Sequence, residues 1–382
     1  MSTIINARSP YYIKLEPFNP LDILSYANIN IYIYSGTFTT DKPVSPTYTL
    51  NKKKFLNNNY IISEVSELIR DYLYTEYFTL AVDGVWVEID YNLYDSFDVL
   101  LNSGNLDYLA FDGFGYFNEG ANPRQSTDPT NESYTPMVLQ TNKTVYFVKG
   151  RDIRIPLFVE PQPTATSNIS LGVWNDVDLY WEAVNVFWGF LSIPIPISDS
   201  NISTEKITYL IIQSDYVQTG DTVTIQSNVG NNQTITIKFI EYCEPKFEPY
   251  RIIFYNKFGA IQDIWTTKKS IISTSVTDES YNSNVMDFSS SPEYSVYSHN
   301  KKRFNVKANQ SIVLNTDFII DELNEPIEQM LMSEQIWIEN SIETIPVSLN
   351  SKSLTRKTSV NDKLIQYNFQ FDYAFDTIQN IR

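Results

Sequence analysis

The sequence predicts a mainly β, multi-domain protein of Ig-like β-sandwiches: two related modules with one helix each, and a helix-free β domain between them. Three observations carry this. Aromatic residues make up 14% of the 382 residues, with 27 Tyr and 22 Phe against 12 Gly; aromatic and β-branched side chains suit the pleated, half-buried surface of a sheet. Short segments alternate apolar and polar residues between clusters of turn residues. One helical pattern near the N-terminus recurs near the C-terminus, as in an internal repeat.

The first module is expected over residues 1–125. In "ANINIYIYSGT", Ile29, Ile31 and Ile33 alternate with Asn30, Tyr32 and Tyr34, a strand with one buried face. "KPVSPTYTLNKK" supplies a turn and a second short strand. A helix over 63–75 follows, in "YIISEVSELIRDYLYTEYFTL", with Val65, Leu68, Ile69, Tyr72 and Leu73 on one stripe. Ser63 is its expected N-cap. Ser66 stands where a capping box needs Glu or Gln, so Glu64 and Glu67 favour the helix start through the dipole instead. Asp83-Gly84 separates two alternating runs, Phe78/Leu80/Val82 and Val85/Val87/Ile89, and reads as a two-residue hairpin. The polar, Pro-containing stretch 122–136 is the expected boundary.

The middle domain is expected over 137–245, from short strands such as "TVYFV", "IRIPLFV" and "ITYLIIQS". Its last part, "DTVTIQSNVGNNQTITIKFIEY", reads as a hairpin turning at Gly230-Asn231. The last module, 246–382, opens with "YRIIFYNKFGAIQDIW" and has a polar stretch over 270–300, expected as a long loop or hairpin excursion. A helix over 321–333 follows. In the closing strand, Tyr367, Phe369, Phe371, Tyr373 and Phe375 share one side.

The repeat is visible when Tyr60–Leu80 is placed over Phe318–Ile338 without a gap. Seven of the 21 positions are identical: Ile61/Ile319, Ile62/Ile320, Glu64/Glu322, Glu67/Glu325, Ile69/Ile327, Leu73/Leu331 and Glu76/Glu334. Pro326 stands opposite Leu68; Pro suits only a first turn, so the second helix is expected to start later, with Asn324 as its cap. In this reading the helix is scaffold, closing one end of a sandwich twice.

The formal net charge is −17, which opposes direct binding to nucleic acid or to anionic lipid and suits a basic partner. No stretch has the length of a membrane span. A single Cys, Cys243, and a single His, His299, leave no Cys/His zinc site and no disulfide within the chain. There is no P-loop and no dinucleotide-binding glycine pattern, and neither enzymatic activity, cofactor nor metal is expected. Two neighbourhoods bear watching. Trp174, Trp181 and Trp188 stand among Asp176, Asp178 and Glu182; such a set serves a core, a protein interface or a glycan-stacking groove. "DGFGYFNEG", Asp112–Gly120, is an acidic Gly-bearing loop without the ligand spacing of an EF-hand.

"RSPYYIKL", "EPYRIIFYNKFGAIQDIW" and "NDKLIQYNFQFDYAFDTIQNIR" resemble segments of structural virion proteins of short-tailed bacteriophages of the crAss-like and marine flavobacterial kind. The resemblance touches both ends and leaves out the middle domain. It implies a tail or neck ring or adaptor protein, assembled in the bacterial host cytoplasm into the virion. Its implied partners are portal, tail or neck components and further copies of itself in a homo-oligomeric ring. The alternative expectation is a carbohydrate-binding or glycan-depolymerising virion surface protein, with Trp174, Trp181 or Trp188 lining an open groove.

Overall fold

The structure is a computed structural model. It describes residues 3–36, 38–55, 57–73, 82–123, 138–158, 163–168, 173–175, 180–182, 191–193, 205–227, 234–242, 246–287, 289, 291–351 and 365–378. The chain is mainly β, with 51% in strands and 8% helical. It divides into two compact units. Unit 1 holds Met1–Glu244, Ile253–Ile264 and Glu322–Glu334; unit 2 holds Pro245–Ile252, Trp265–Asp321 and Gln335–Arg382.

In unit 1 the chain starts with β1 (Thr3–Asn6), β2 (Tyr12–Leu15), β3 (Tyr26–Tyr34), β4 (Tyr48–Lys53) and β5 (Ile61–Glu64). Helix α1 (Ser66–Arg70) follows, then β6 (Val82–Asp83), β7 (Val85–Tyr94) and β8 (Leu100–Phe111). A five-stranded sheet runs in the order β1-β8-β7-β3-β4, with β1 parallel to β8. The alternation in β3 is realised: Ile29, Ile31 and Ile33 are buried. On the other face, Asn51 donates to Asn28 at 2.7 Å and Thr49 to Asn30 at 3.0 Å. The β2–β5 pair and α1 cover the buried face. Ile13, Leu15, Ile61, Val65, Ile69 and Leu73 share one core with Ile29, Ile31, Val87 and Ile89.

Helix α1 is therefore scaffold, but it is shorter than the predicted 63–75. Residues 61–64 go to β5, where Ile61 and Ser63 face the core and Ile62 faces out. Tertiary pairing overrides the helical pattern there. Ser63 does not cap the helix: the cap position is Val65, without a side-chain bond, and the Glu64 carboxylate just before it accepts from the Ser66 backbone N–H at 2.7 Å and from the Ser66 hydroxyl. After Arg70 the bonds tighten to i→i−3.

The predicted Asp83-Gly84 hairpin is not formed. β6 pairs with β15, Val82 opposite Ile207 and Asp83 opposite Glu205, while Val85 pairs with Ala110 of β8. Gly84 is a corner where the chain changes sheets. A Cβ there would stand 2.6 Å from the Phe111 ring and 3.0 Å from the Ala110 carbonyl, so the glycine answers a close approach rather than a turn type. Phe78 and Leu80 lie outside the described residues.

The chain continues with β9 (Thr144–Phe147), β10 (Asp152–Phe158), β11 (Pro163–Asn168), β12 (Val173–Asn175), β13 (Tyr180–Glu182) and β14 (Leu191–Ile193). Then come β15 (Glu205–Gln213), β16 (Thr222–Ser227) and β17 (Thr234–Glu241). Sheets run β14-β11-β16-β17-β9 and β10-β15-β6, and β12 pairs with β13. The core here joins Val145, Phe147, Ile155, Leu157, Ile212, Val223, Ile225, Ile237 and Phe239. β16 and β17 pair as the predicted hairpin, while Gly230 and Asn231 lie outside the described residues.

The remaining elements are β18 (Tyr250–Tyr255), β19 (Ile261–Thr266), β20 (Ile271–Asn282), β21 (Met286–Asp287), β22 (Glu293–Tyr294) and β23 (Lys301–Asn315). After them come α2 (Asn324–Met332), β24 (Ile336–Glu339), β25 (Thr344–Leu349) and β26 (Asn368–Tyr373). In unit 2, β24, β25, β26, β23 and β20 stand side by side in that order. β24 and β25 form the hairpin expected after the second helix. Phe369 and Phe371 are core. The strand stops at Tyr373, leaving Phe375 exposed. The buried Arg251 stacks on Trp265 at 4.5 Å and faces Glu339 at 3.5 Å.

Two features differ from the three-part reading of 1–125, 137–245 and 246–382. The β6–β15 pairing joins the first two segments in one sheet, and both belong to unit 1. Residues 253–264 and 322–334 also belong to unit 1 rather than to the unit of the strands around them. Helix α2 starts at Asn324 after a 3-10 turn over Asp321–Leu323, later than the predicted 321 and as Pro326 requires. Its cap position is Leu323, with no side-chain bond, so Asn324 does not cap it. Arg70 at the end of α1 grips Glu334 just after α2 with two bonds of 2.6 and 2.7 Å.

Candidate functional site

Among the described residues the most exposed element is a β-ribbon in unit 2. β20 pairs with β23 from Ile271↔Val313 to Asn282↔Lys301, with an irregularity between Thr277 and Glu279. All twelve residues of β20 are exposed, as are the first seven of β23. Both faces of the ribbon therefore meet solvent, and the predicted 270–300 excursion is an arm. Its Ile, Val, Thr, Tyr and Phe residues suit a strand, while the Ser, Lys and Arg between them supply no inward face. Cross-strand contacts hold it. Arg303 makes two bonds to Asp278, at 2.8 and 3.0 Å, Asn305 donates to Glu279 at 3.0 Å, and the Tyr281 and Phe304 rings meet edge-on at 5.7 Å. Asn305 takes a positive φ of 50°, fitting an irregularity in the ladder. Beyond β20 the chain pairs again in β21–β22, and Val296 and Tyr297 are 77% and 94% exposed. Lys301, Lys302, Arg303 and Lys307 are matched in number by Asp278, Glu279, Asp287 and Glu293, so the arm is neutral in an acidic chain. Among the described residues β20 is the terminal strand of its sheet, and one row of its backbone groups has no neighbour strand there.

A second exposed surface lies at one end of the β1-β8-β7-β3-β4 sheet. The chain segments before β3, after β4 and between β7 and β8 meet there: Ser25 bonds Tyr94, and Lys54 bonds Ser25. Phe18, Leu21, Phe55 and Phe97 are each more than 80% exposed, and Ile23 and Val99 more than half exposed. The loops beneath them are tied down. The Asn59 side chain donates to the Asp22 carbonyl at 2.8 Å and accepts from the Leu24 N–H at 3.0 Å. The Asp95 carboxylate accepts from the N–H groups of Phe97 and Val99 at 2.8 and 2.9 Å. Tyr26 stacks on Tyr94 at 5.0 Å and donates to Asp98 at 2.8 Å. Large apolar side chains held in the open by ordered loops mark an interaction surface.

The polar clusters of unit 1 are internally matched. On the outer face of its first sheet Glu88 is buried and accepts from Tyr34 and, at 2.8 Å, from Lys42. Lys42 also reaches Asp90 at 3.3 Å and lies over the Tyr32 ring at 4.2 Å. Desolvation, and next the charge of Glu88, hold the Asp107 carboxyl above its ordinary range. In the "DGFGYFNEG" loop, Glu119 is paired with Lys257 and accepts from its own loop at Tyr116 N–H. Burial pushes Asp112 up to about 6 against the opposing charge of Arg8. Arg8 donates to the Met332 carbonyl at 2.7 Å and lies over the Phe114 ring at 5.2 Å. The loop's acids thus face cations of the protein itself. Among the described residues no group of three His, Cys, Asp or Glu side chains is placed to hold a metal ion, and no helix is long and apolar enough to cross a membrane.

The tryptophan neighbourhood is reached only at its backbone. Trp174 of β12 stands directly opposite Trp181 of β13; Trp188, Asp176 and Asp178 lie outside the described residues, as does Cys243. His299 is exposed at the far end of the arm, where its carbonyl accepts from Ser283.

The loop end is a surface that the sequence expectations miss. Its signal is present all the same: isolated large apolar residues, Phe18, Leu21, Phe55 and Phe97, stand in Asn/Asp/Pro-rich turn segments and outside any alternation. No protein-family model and no curated protein matches this chain.

Proposed function

We propose that the chain is a structural component of a tailed bacteriophage virion. It works as a tail or neck ring or adaptor protein, through protein–protein contacts rather than catalysis. Its sheets would act as β-sandwich modules of the Ig-like kind, a rigid scaffold that presents loops and a hairpin to portal, tail or neck components and to further copies of itself.

The arm is the observation that supports this role. A two-stranded ribbon with both faces in solvent is marginal alone, and a long unpaired edge invites pairing with another chain. An element of this kind suits a protein that spends its working life in an assembly. The acidic charge and the resemblance of both chain ends to phage structural proteins point the same way.

Mass spectrometry of purified particles, with density for the assembled tail and neck, tests the proposal. The expected result is this chain at a fixed copy number around the particle axis. Intact, infectious particles that lack the chain would refute it.

A further inference from the structure

The outer face of the first sheet in unit 1 carries polar side chains in register. Pairing of β4, β3, β7 and β8 sets them in rows across the strands. One row holds Asn51, Asn28 and Asn92; the next holds Thr49, Asn30, Asp90 and Asn105. Asn51, Thr49 and Asn105 are exposed, and Asn28, Asn30 and Asn92 partly so. Five of these seven residues are Asn, a type depleted in strands, so strand formation does not account for them. Bonds between neighbours orient the amides: Asn51 donates to Asn28 at 2.7 Å, and Asn105 to Asp90 at 2.6 Å. An amide has two N–H donors and an acceptor oxygen, so each keeps both kinds of group for the solvent side. The adjoining row holds Tyr26 and Tyr94, stacked at 5.0 Å.

We propose that this face is a binding platform for a neutral, linear polysaccharide. The chemistry of the rows selects the ligand. They hold no Trp, Phe, Met or Arg, the side chains that anchor protein interfaces. They hold no base to take a phosphate or sulfate; Lys42 beside them is committed to Glu88 and Asp90, and Lys53, opposite Tyr26, stands at the rim. The net charge of −17 opposes an anionic polymer. Donors and acceptors side by side on a neutral face match a ligand that offers both at close spacing, as neighbouring sugar hydroxyls do. Strands lie about 4.8 Å apart, close to the advance of one unit in an extended polysaccharide. The Tyr26–Tyr94 pair adds aromatic surface on which the C–H face of a sugar ring can stack. These residues are other than Trp174, Trp181 and Trp188, and the inference does not depend on the virion role.

Affinity gel electrophoresis of the full chain tests it, with a β-glucan, a glucomannan or a xylan in the gel and alginate as the anionic comparison. Retardation by at least one neutral polymer, and none by alginate, is expected. The variant Asn51→Thr/Asn92→Thr/Asn105→Thr separates binding from scaffold. Thr suits a strand better than Asn, so the melting temperature should hold or rise. Binding should weaken by more than about ten-fold, since three amides are lost. If the triple variant does not fold, Asn92→Thr alone, which breaks none of the bonds above, is read in the same way and should weaken retardation. A chain that none of the neutral polymers retards, equal retardation by alginate, or a folded variant retarded as before would each overturn the platform. A lower melting temperature with binding intact would make the amides scaffold and overturn it as well. Particles that lack the chain would remove the virion role and leave the platform standing.

Discussion

The hairpin β18–β19 and the arm β20–β23 follow each other in sequence, four residues apart, and meet opposite conditions. The tip of the first, Asn256–Ala260, is buried throughout. Asn256 is fully buried and makes four side-chain bonds: it donates to the Leu139 carbonyl and to Gln262, and accepts from Phe258 and Ala260. Gln262 passes the network on to Asn142, and Gln329 accepts from the Lys257 N–H. The arm instead spends its polar groups on its own partner strand and keeps its charges in water. The same backbone motif is scaffold where its polar groups find partners in the fold, and surface where they find only each other.

The largest test of this contrast is Asn256→Ala. It strands the N–H groups of Phe258 and Ala260 in a buried network, so it should destabilise unit 1 by about 4 kcal/mol in urea unfolding. A loss below about 1 kcal/mol would mean that the tip is not held as described.

Next in size is Asp112→Asn, beside the same tip. Asp112 rises from 3.8 in the unfolded chain to about 6 in the fold, chiefly through desolvation. The folded state therefore favours the proton. The stability tied to it is complete below pH 4 and is lost as pH rises through 6. The Asn variant lacks that loss. It should be more stable than the unmodified chain by about 3 kcal/mol at pH 8 and equal to it near pH 4. A gain independent of pH would assign the effect to something other than the Asp112 proton, whatever Arg8, Arg70 and Glu334 contribute around it.

Gly259→Ala follows. Gly259 has φ +74°, and an added Cβ would stand 3.0 Å from backbone atoms of Asp112 and Gly113. The conformation and the crowding together should cost about 2 kcal/mol. A melting temperature equal to that of the unmodified chain would show that the two loops can part.

How far the sequence reveals these features depends on how local their causes are. The β class, the face alternation of β3 and β26 and the late start of α2 follow from side-chain period and from Pro326, and all are legible. The Asp83-Gly84 hairpin fails because a turn signal cannot reveal that β6 finds β15 more than a hundred residues away. Helix α1 is overextended because residues 61–64 suit both a helical stripe and the β2 edge, and the edge prevails. The tip at Asn256 stays hidden, since Asn, Lys and Gly in a turn read as solvent-facing until a socket is known. The arm is half legible: its polarity marks an excursion, but pairing over eleven positions needs the register.

The smallest expected effect is the sharpest for the contrast. Arg303→Ala removes two bonds to Asp278, as many as Asn256→Ala takes from the acceptors Leu139 and Gln262. Both groups of the Arg303 pair reach solvent, however; hydrogen bonding to Asp278 holds Arg303 above its ordinary range, and the bond to Arg303 holds Asp278 below its own. In water each lost bond is replaced by one to solvent, and exposed ion pairs add little to stability. The melting temperature should not move within error at any pH between 5 and 9. What should change is hydrogen exchange in the ribbon, with faster exchange over 278–282 and 301–305 and no change over 253–264, read by mass spectrometry. If Arg303→Ala lowers the melting temperature as Asn256→Ala does, the arm is part of the folded scaffold and the division between the two hairpins is lost. If exchange rises equally in both, the hairpins open as one cooperative unit, and the arm is not an independent element for other chains to grasp.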